Sequence, residues 1–330
     1  MTKFILKKCS WIGWIISGIK FRHREEIENE EKVSFFSQSL NRQTRIYVLF
    51  PTDQGPYLEK TDKIPFKTLY LLHGMTGSRD SWFGSESLWK ISCEYNMAIV
   101  MPSGENSFYC DSETTNRNIG TFVSKELVEF TRNSFPLSHK REDTFIGGLS
   151  MGGFGALVNG LRYPEIFGYI TAFSAALIKK LILLADNEPG SDYFTRIQYQ
   201  NMFGLKQIKD FEGSDCDYES LAKRLADSGK EKPKIYMDCG TEDYSLYAAN
   251  LVFKDMLVQL GYEVTWDSRP GGHDMKFWND SFRKAVDFLP VERLEYAPDS
   301  PIMLRLSKMN AAMTQKMTEG GKNYAVSKIR

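Results

Sequence analysis

An α/β fold, with a mostly parallel central sheet and helices on both faces, is what this sequence predicts, and three observations predict it. Short apolar runs of strand length alternate with longer helical runs from about Lys32 to Pro290. Two of the short runs, Thr68–Leu72 and Ala98–Met101, lack a polar alternate face, as strands buried between two helical layers do. Residues with chemical potential sit just after the strand-like runs, at the sheet edge where ligands of such folds bind.

Taken in order, Val33–Ser39 and Arg45–Leu49 read as a strand pair joined through Asn41-Arg42. Thr68–Leu72 is a buried strand ending at His73-Gly74, and Ala98–Met101 is another, closed by Pro102. Thr144–Ile146, Tyr169–Phe173, Ile235–Met237 and Val264–Trp266 complete the strands. Helical runs lie between them at Ser87–Tyr95, Phe122–Asn133, Gly153–Tyr163, Leu246–Leu260 and Met275–Phe288. The stretch 177–219 breaks the rhythm with Tyr193, Phe194, Tyr199, Met202 and Phe203. It reads as a small helical insertion, either a cap over the site or a segment packed aside.

Residues 32–290 thus form one domain, flanked by extensions at 1–31 and 291–330. In the first, Lys3, Lys7 and Lys8 precede the apolar run Cys9–Ile19, with Lys20, Arg22 and Arg24 after it. That run is too short to span a bilayer. A basic start and short apolar centre resemble an export signal, but no small-x-small cleavage site follows. Ile5, Cys9, Ile12, Ile16 and Ile19 recur at helical spacing, so residues 1–24 read as an amphipathic helix. It would rest on a membrane surface or pack on the domain or a second copy of the chain. The tail carries Met303, Met309, Met313 and Met317 and ends its helical run at Gly320-Gly321.

Composition narrows the function classes. Lys plus Arg equals Asp plus Glu at 42 each, so no basic field invites nucleic acid. The five cysteines are scattered without metal-type spacing, as free thiols of a reducing, cytoplasmic compartment are. No metal or other cofactor is called for.

The chemistry centres on DTFIGGLSMGGFGAL, Asp143–Leu157. A strand-like run ends in Gly147-Gly148, Ser150 follows, and after Gly152 comes the helix-compatible run Gly153–Tyr163. Strand, glycine turn with a central serine, then helix is the context of a nucleophile elbow. Gly148 and Gly152 flank the serine where a side chain would collide as the chain reverses. The following helix N-terminus favours negative charge at that point.

A serine hydroxyl needs a base, and only four histidines are available. His23 lies in the charged extension, His139 in a polar turn before the elbow strand, and His73 at the end of an early strand in HGMTG. His273, in PGGHDMKFW, remains. Asp243, in CGTEDY, lies between Ser150 and His273 in the chain, the acid position of the order Ser, Asp, His. It competes with Glu242, Asp238 and Asp274, and with a plain capping role for the helix near Leu246. The backbone N–H groups expected to hold an oxyanion are those of Met151, next to the serine, and Met75, with Gly74 allowing its turn. Trp82, Phe108, Tyr109 and aromatics of the insertion are candidate pocket walls, although core packing explains them equally well.

LYLLHGMTG, AIVMPSGENSFY, FPLSHKREDTFIGGLSMGGFGAL, YMDCGTEDY and RPGGHDMKFW together resemble the esterase D / tributyrin esterase family of α/β-hydrolases, in sequence and in order. The resemblance runs from about Lys32 to Pro290 and leaves both extensions out. It implies a metal-independent serine esterase that cleaves short acyl esters, some of them on carbohydrates, through an acyl-enzyme. It places the triad at Ser150, Asp243 and His273 and the oxyanion donors at Met75 and Met151. The similar S-formylglutathione hydrolases typically carry histidines around the elbow, where this chain has Leu149 and Phe154. A thioesterase or an acyltransferase would use the same residues, and a non-catalytic docked scaffold is the reading of another class.

Overall fold

The computed structural model describes residues 30–51, 64–82, 87–112, 115–188 and 194–294. The N-terminal helix expected at 1–24, the tail from Ser300 and Tyr193 of the insertion lie outside the described residues. Among the described residues no helix is long and apolar enough to cross a membrane.

Among the described residues one eight-stranded sheet organises the fold, in the order β1-β2-β4-β3-β7-β8-β9-β10. Its strands are β1 (Glu30–Ser37), β2 (Arg42–Leu49), β3 (Lys67–Leu72), β4 (Met97–Pro102), β7 (Thr144–Leu149), β8 (Tyr169–Phe173), β9 (Lys234–Gly240) and β10 (Val264–Arg269). β1 and β2 are antiparallel to each other, β2 is antiparallel to β4, and every other pair is parallel. A two-stranded ribbon, β5 (Asp111–Ser112) with β6 (Arg117–Asn118), stands apart. The mostly parallel sheet is the architecture that the alternating pattern predicts.

Side chains alternate across the pleat, so each strand feeds two cores. Tyr70, Leu72, Ile146, Ile170 and Ala172 enter one. It is closed by α3 (Leu127–Ser134), α4 (Met151–Arg162) and α8 (Tyr247–Gln259). Leu69, Leu71, Phe145, Leu149 and Phe173 enter the other, closed by α1 (Ser87–Glu94) and α9 (Met275–Phe288). The helix α2 (Ile119–Thr121) runs through a π-turn, Phe122–Glu126, into α3. Where the sequence predicts one helix from Phe122, the π-turn separates two.

The insertion after β8 holds α5 (Lys179–Leu184) and α6 (Arg196–Phe203), and α7 (Tyr218–Asp227) starts in its last residues. Thr195 and Gln198 form a capping box that starts α6, and Gly204, at φ 65°, ends it. Phe203 packs on Phe108, Phe154 and Phe211, and Tyr218 packs on Phe154. The body of the insertion is therefore anchored on α4. Its first residues leave from the elbow itself, since the Ala176 N–H donates to the Ser150 carbonyl at 3.0 Å.

Register brings the strand ends level. Leu72 pairs with Gly148, Leu149 with Phe173, Phe173 with Asp238, and Gly240 with Arg269. The loops that follow all open on one edge. β4 and β7 flank β3 on opposite sides, so the chain reverses its winding there, and β3 and β7 border the crevice this creates.

Candidate active site

The main chain places the Ser150 residue. It sits between β7 and α4 at φ 53° and ψ −117°, a conformation that L-residues rarely adopt. Its N–H donates to the Phe173 carbonyl at 2.8 Å, and its carbonyl accepts from Phe154 at 3.0 Å as well as from Ala176. The turn closes this tightly only because Gly148 and Gly152 lack side chains. A Cβ at Gly152 would lie 2.5 Å from the Leu72 carbonyl oxygen and 2.7 Å from that of His73. One at Gly148 would lie 2.6 Å from the Gly152 carbonyl carbon.

The HGMTG turn lies against the elbow. A Cβ at Gly74 would meet Leu149 Cδ1 at 2.6 Å and Ser150 Cβ at 3.5 Å. His73 is fully buried beneath the turn. Its Nε2 accepts the Gly104 N–H at 2.9 Å, so Nδ1 carries the proton and donates to the Gly74 carbonyl at 2.7 Å. Burial pushes its pKa below the usual value, against the pull of that carbonyl, and the ring is neutral. The Thr76 N–H is committed to Asn106 Oδ1 at 2.8 Å. Met75 therefore sits between a glycine fitted to the elbow and a residue tied to the next loop. The Met151 N–H is the first of α4 and has no helical acceptor behind it.

His273 lies on the loop between β10 and α9, with its side chain 36% exposed. Its Nδ1 is 2.7 Å from Asp243 Oδ2 and its Nε2 is 2.9 Å from Ser150 Oγ. A carboxylate only accepts, so Nδ1–H donates to Asp243 and Nε2 is left to accept the serine O–H. Asp243 is 2% exposed. Its other oxygen accepts the Leu246 N–H at 3.2 Å, and its carbonyl accepts the Tyr247 N–H at 2.9 Å. The two roles weighed for this residue are held together, one oxygen facing the histidine and one capping the turn into α8.

The competing acids are elsewhere. Asp274 caps α9 through the Phe277 N–H at 2.9 Å. Asp238 lies inside β9, bonded to Tyr236 and Arg269, and burial lifts its carboxyl to about 6. Glu242 is exposed. Among the other histidines, His139 is exposed in its turn and His23 is outside the described residues.

The expected pocket walls are corrected by the structure. Trp82, Phe108 and Tyr109 are 1%, 2% and 0% exposed, so none presents a face to a ligand. Trp82 donates to the Leu72 carbonyl at 3.2 Å and packs on Phe173 and Phe282. Phe108 fills the space between Phe154 and Phe203. Tyr109 donates its O–H to the His73 carbonyl at 3.0 Å and accepts the His73 N–H at 2.9 Å. These rings build the floor under the site. Sequence reasoning also missed Asn106, Trp278 and Arg269. Trp278 meets the His273 ring edge-on at 4.7 Å and donates to Ser174 Oγ at 3.2 Å. Among the described residues no cluster of His, Cys, Asp or Glu is arranged for a metal ion.

Comparison with known proteins agrees with this fold. Residues 37–289 match the family model described as putative esterase. An acetyl esterase of Caldicellulosiruptor saccharolyticus is 39% identical over 260 residues, 78% of this chain and 97% of that protein. Among solved structures, FphF, a fluorophosphonate-binding serine hydrolase of Staphylococcus aureus, superposes with a TM-score of 0.68 at 25% identity. The alignment covers 79% of this chain and 97% of that one. The S-formylglutathione hydrolase FrmB of Staphylococcus aureus follows at a TM-score of 0.65 and 25% identity, over 79% and 98% of the two chains. With an esterase model matched across most of its length and a relative at 39% identity, the chain belongs to the putative esterase family, on an α/β-hydrolase fold.

Proposed function

We propose that the chain is a serine carboxylesterase of the esterase D / tributyrin esterase branch, hydrolysing short-chain, acetyl-like esters through an acyl-enzyme. The unbroken hydrogen-bonded line Asp243–His273–Ser150, at 2.7 and 2.9 Å, carries this reading. Ser150 Oγ attacks the ester carbonyl while His273 Nε2 takes its proton. Asp243 keeps the proton on Nδ1 and stabilises the imidazolium that forms. The N–H groups of Met75 and Met151 receive the oxyanion. The imidazolium then protonates the leaving alcohol, and water repeats the sequence to free the acid and Ser150.

The 39% identical acetyl esterase supports a small acyl group, and esters on carbohydrates fit the same assignment. The likeness to an S-formylglutathione hydrolase favours a thioesterase as the second reading. The residues around the elbow speak against it. Phe154 is buried among Phe108, Phe203 and Tyr218, and Leu149 is 4% exposed. Neither offers a polar group to a peptide-like leaving group. Four described cysteines are buried free thiols, in keeping with a reducing compartment.

A fluorophosphonate probe should label the wild-type protein and leave Ser150→Ala unlabelled. Equal labelling of the two would end the enzyme reading and leave the docked scaffold. A series of p-nitrophenyl esters, with S-formylglutathione, acetylated xylan and methyl ferulate alongside, should give its highest kcat/KM on acetyl or butyryl. A preference for S-formylglutathione would select the thioesterase.

A further inference from the structure

We propose that Arg269, braced by Asp238, is a positioning residue that sets the attitude of the His273 imidazole toward Ser150. This rests on the acyl-enzyme reading above. Arg269 is the last residue of β10, and the loop carrying His273 begins immediately after it. Its guanidinium reaches three elements at once. Nη1 bonds Asp238 Oδ2 on β9 at 3.2 Å and Asp267 Oδ2 on its own strand. Nη2 donates to the Phe277 carbonyl at 3.1 Å and to Ser281 Oγ at 2.8 Å, both on α9. The planar group also lies over the Phe277 ring, 3.9 Å from its centroid. The strand before the histidine loop and the helix after it are therefore joined by one side chain.

The consequence reaches the imidazole through the next residue of α9. Phe277 takes the guanidinium, and Trp278 beside it holds the His273 ring edge-on while bonding Ser174 on the far side. Ser174 in turn donates its N–H to the Asp238 carbonyl at 2.9 Å. Asp238 is thus tied to the site by its side chain through Arg269 and by its backbone through Ser174. The acid loop is fastened to the same frame. The Thr241 N–H donates to the Arg269 carbonyl at 2.9 Å, and the Glu242 N–H donates to the Gly271 carbonyl at 3.0 Å. Gly240 permits this approach, since a Cβ there would lie 2.1 Å from the Gly271 oxygen. Base loop and acid loop are zipped together, and the planar fork of Arg269 is what no lysine can reproduce across β9 and α9.

The experiment is a double-mutant cycle on p-nitrophenyl acetate hydrolysis by the full chain. Arg269→Gln should lower kcat roughly 10- to 100-fold, the scale of a displaced reacting group, with KM changed less than about 3-fold. Arg269→Lys, which keeps the charge without the fork, should recover only part of the loss. Asp238→Asn, which keeps the shape, should lower kcat by a smaller factor in the same direction. In a His273→Ala background, Arg269→Gln should cost nothing further, because its effect passes through the imidazole. A wild-type kcat in Arg269→Gln would overturn the proposal. So would an equal fold-loss with and without His273, which marks general damage, as would a loss explained by the folded fraction in a thermal melt. Wild-type protein that turns over no ester sinks the acyl-enzyme reading and the positioning role with it. Turnover abolished by Ser150→Ala but indifferent to Arg269→Gln sinks the positioning role alone.

Discussion

The nucleophile and its base are held by different physics. Ser150 is set by main chain, through a strained φ of 53°, three backbone hydrogen bonds and two glycines packed against carbonyl oxygens. His273 is set by side chains, through Asp243, Trp278 and the guanidinium of Arg269. Backbone placement is rigid and local, and it fails by failing to fold. Side-chain placement draws on residues scattered over three elements, and it fails by losing rate while the fold persists. The two halves of one site should therefore answer substitution in different observables.

The largest expected effect breaks both halves equally. Ser150→Ala or His273→Ala should lower kcat by roughly 10⁴- to 10⁶-fold, as when one member of a concerted triad is lost. The thermal midpoint should barely move. A modest loss in either would mean that the two residues do not act as a unit.

Next in size, Gly152→Ala should act on the fold. The added Cβ meets two carbonyl oxygens of backbone that cannot swing away. Chemical denaturation should show about 1–3 kcal/mol of destabilisation or no soluble protein. Normal stability with normal turnover would show that the elbow is looser than the contacts imply.

A smaller effect of opposite sign isolates the strain. Ser150→Gly should be about 1 kcal/mol more stable than Ser150→Ala, because only glycine relaxes at this φ and ψ. Equal stability would remove strain from the description of the elbow.

The finest probe lies on the side-chain half. Burial raises the Asp238 carboxyl from 3.8 to about 6. Between those values the folded state holds a proton that the unfolded state has released, so this group's contribution to stability is greatest below about 3.8. It declines as pH rises through about 6. Asp238→Asn should flatten the dependence of stability over that window. An unchanged slope in the variant would assign the dependence to other groups.

Much of this was legible in the sequence because it is local. The apolar runs mark the strands, and the glycines around Ser150 mark a turn that few other residues could make. Four histidines leave His273 by elimination, chain order puts the acid between Ser150 and His273, and the family resemblance rather than order singles out Asp243 from Asp238 and Glu242. What was illegible is non-local or two-valued. Trp82, Phe108 and Tyr109 are aromatic residues next to site loops, and composition cannot separate a pocket wall from a buried floor. Arg269 reads as an ordinary strand-end cation until β9 and α9 are folded around it. The sequence pattern does not separate α7 from the insertion, because its start, Tyr218, falls within 177–219.

The sheet order has a temporal meaning. Ser150 and His273 are 123 residues apart in the chain, and His273 is delivered by β10, the last strand among the described residues and one edge of the sheet. A ribosome that has released the elbow, its glycines and the HGMTG turn has released a nucleophile without a base. Only when β10 has docked on β9 and α9 has closed over Arg269 does the serine gain its partner. Ester turnover by a nascent chain would therefore time the arrival of β10 and α9.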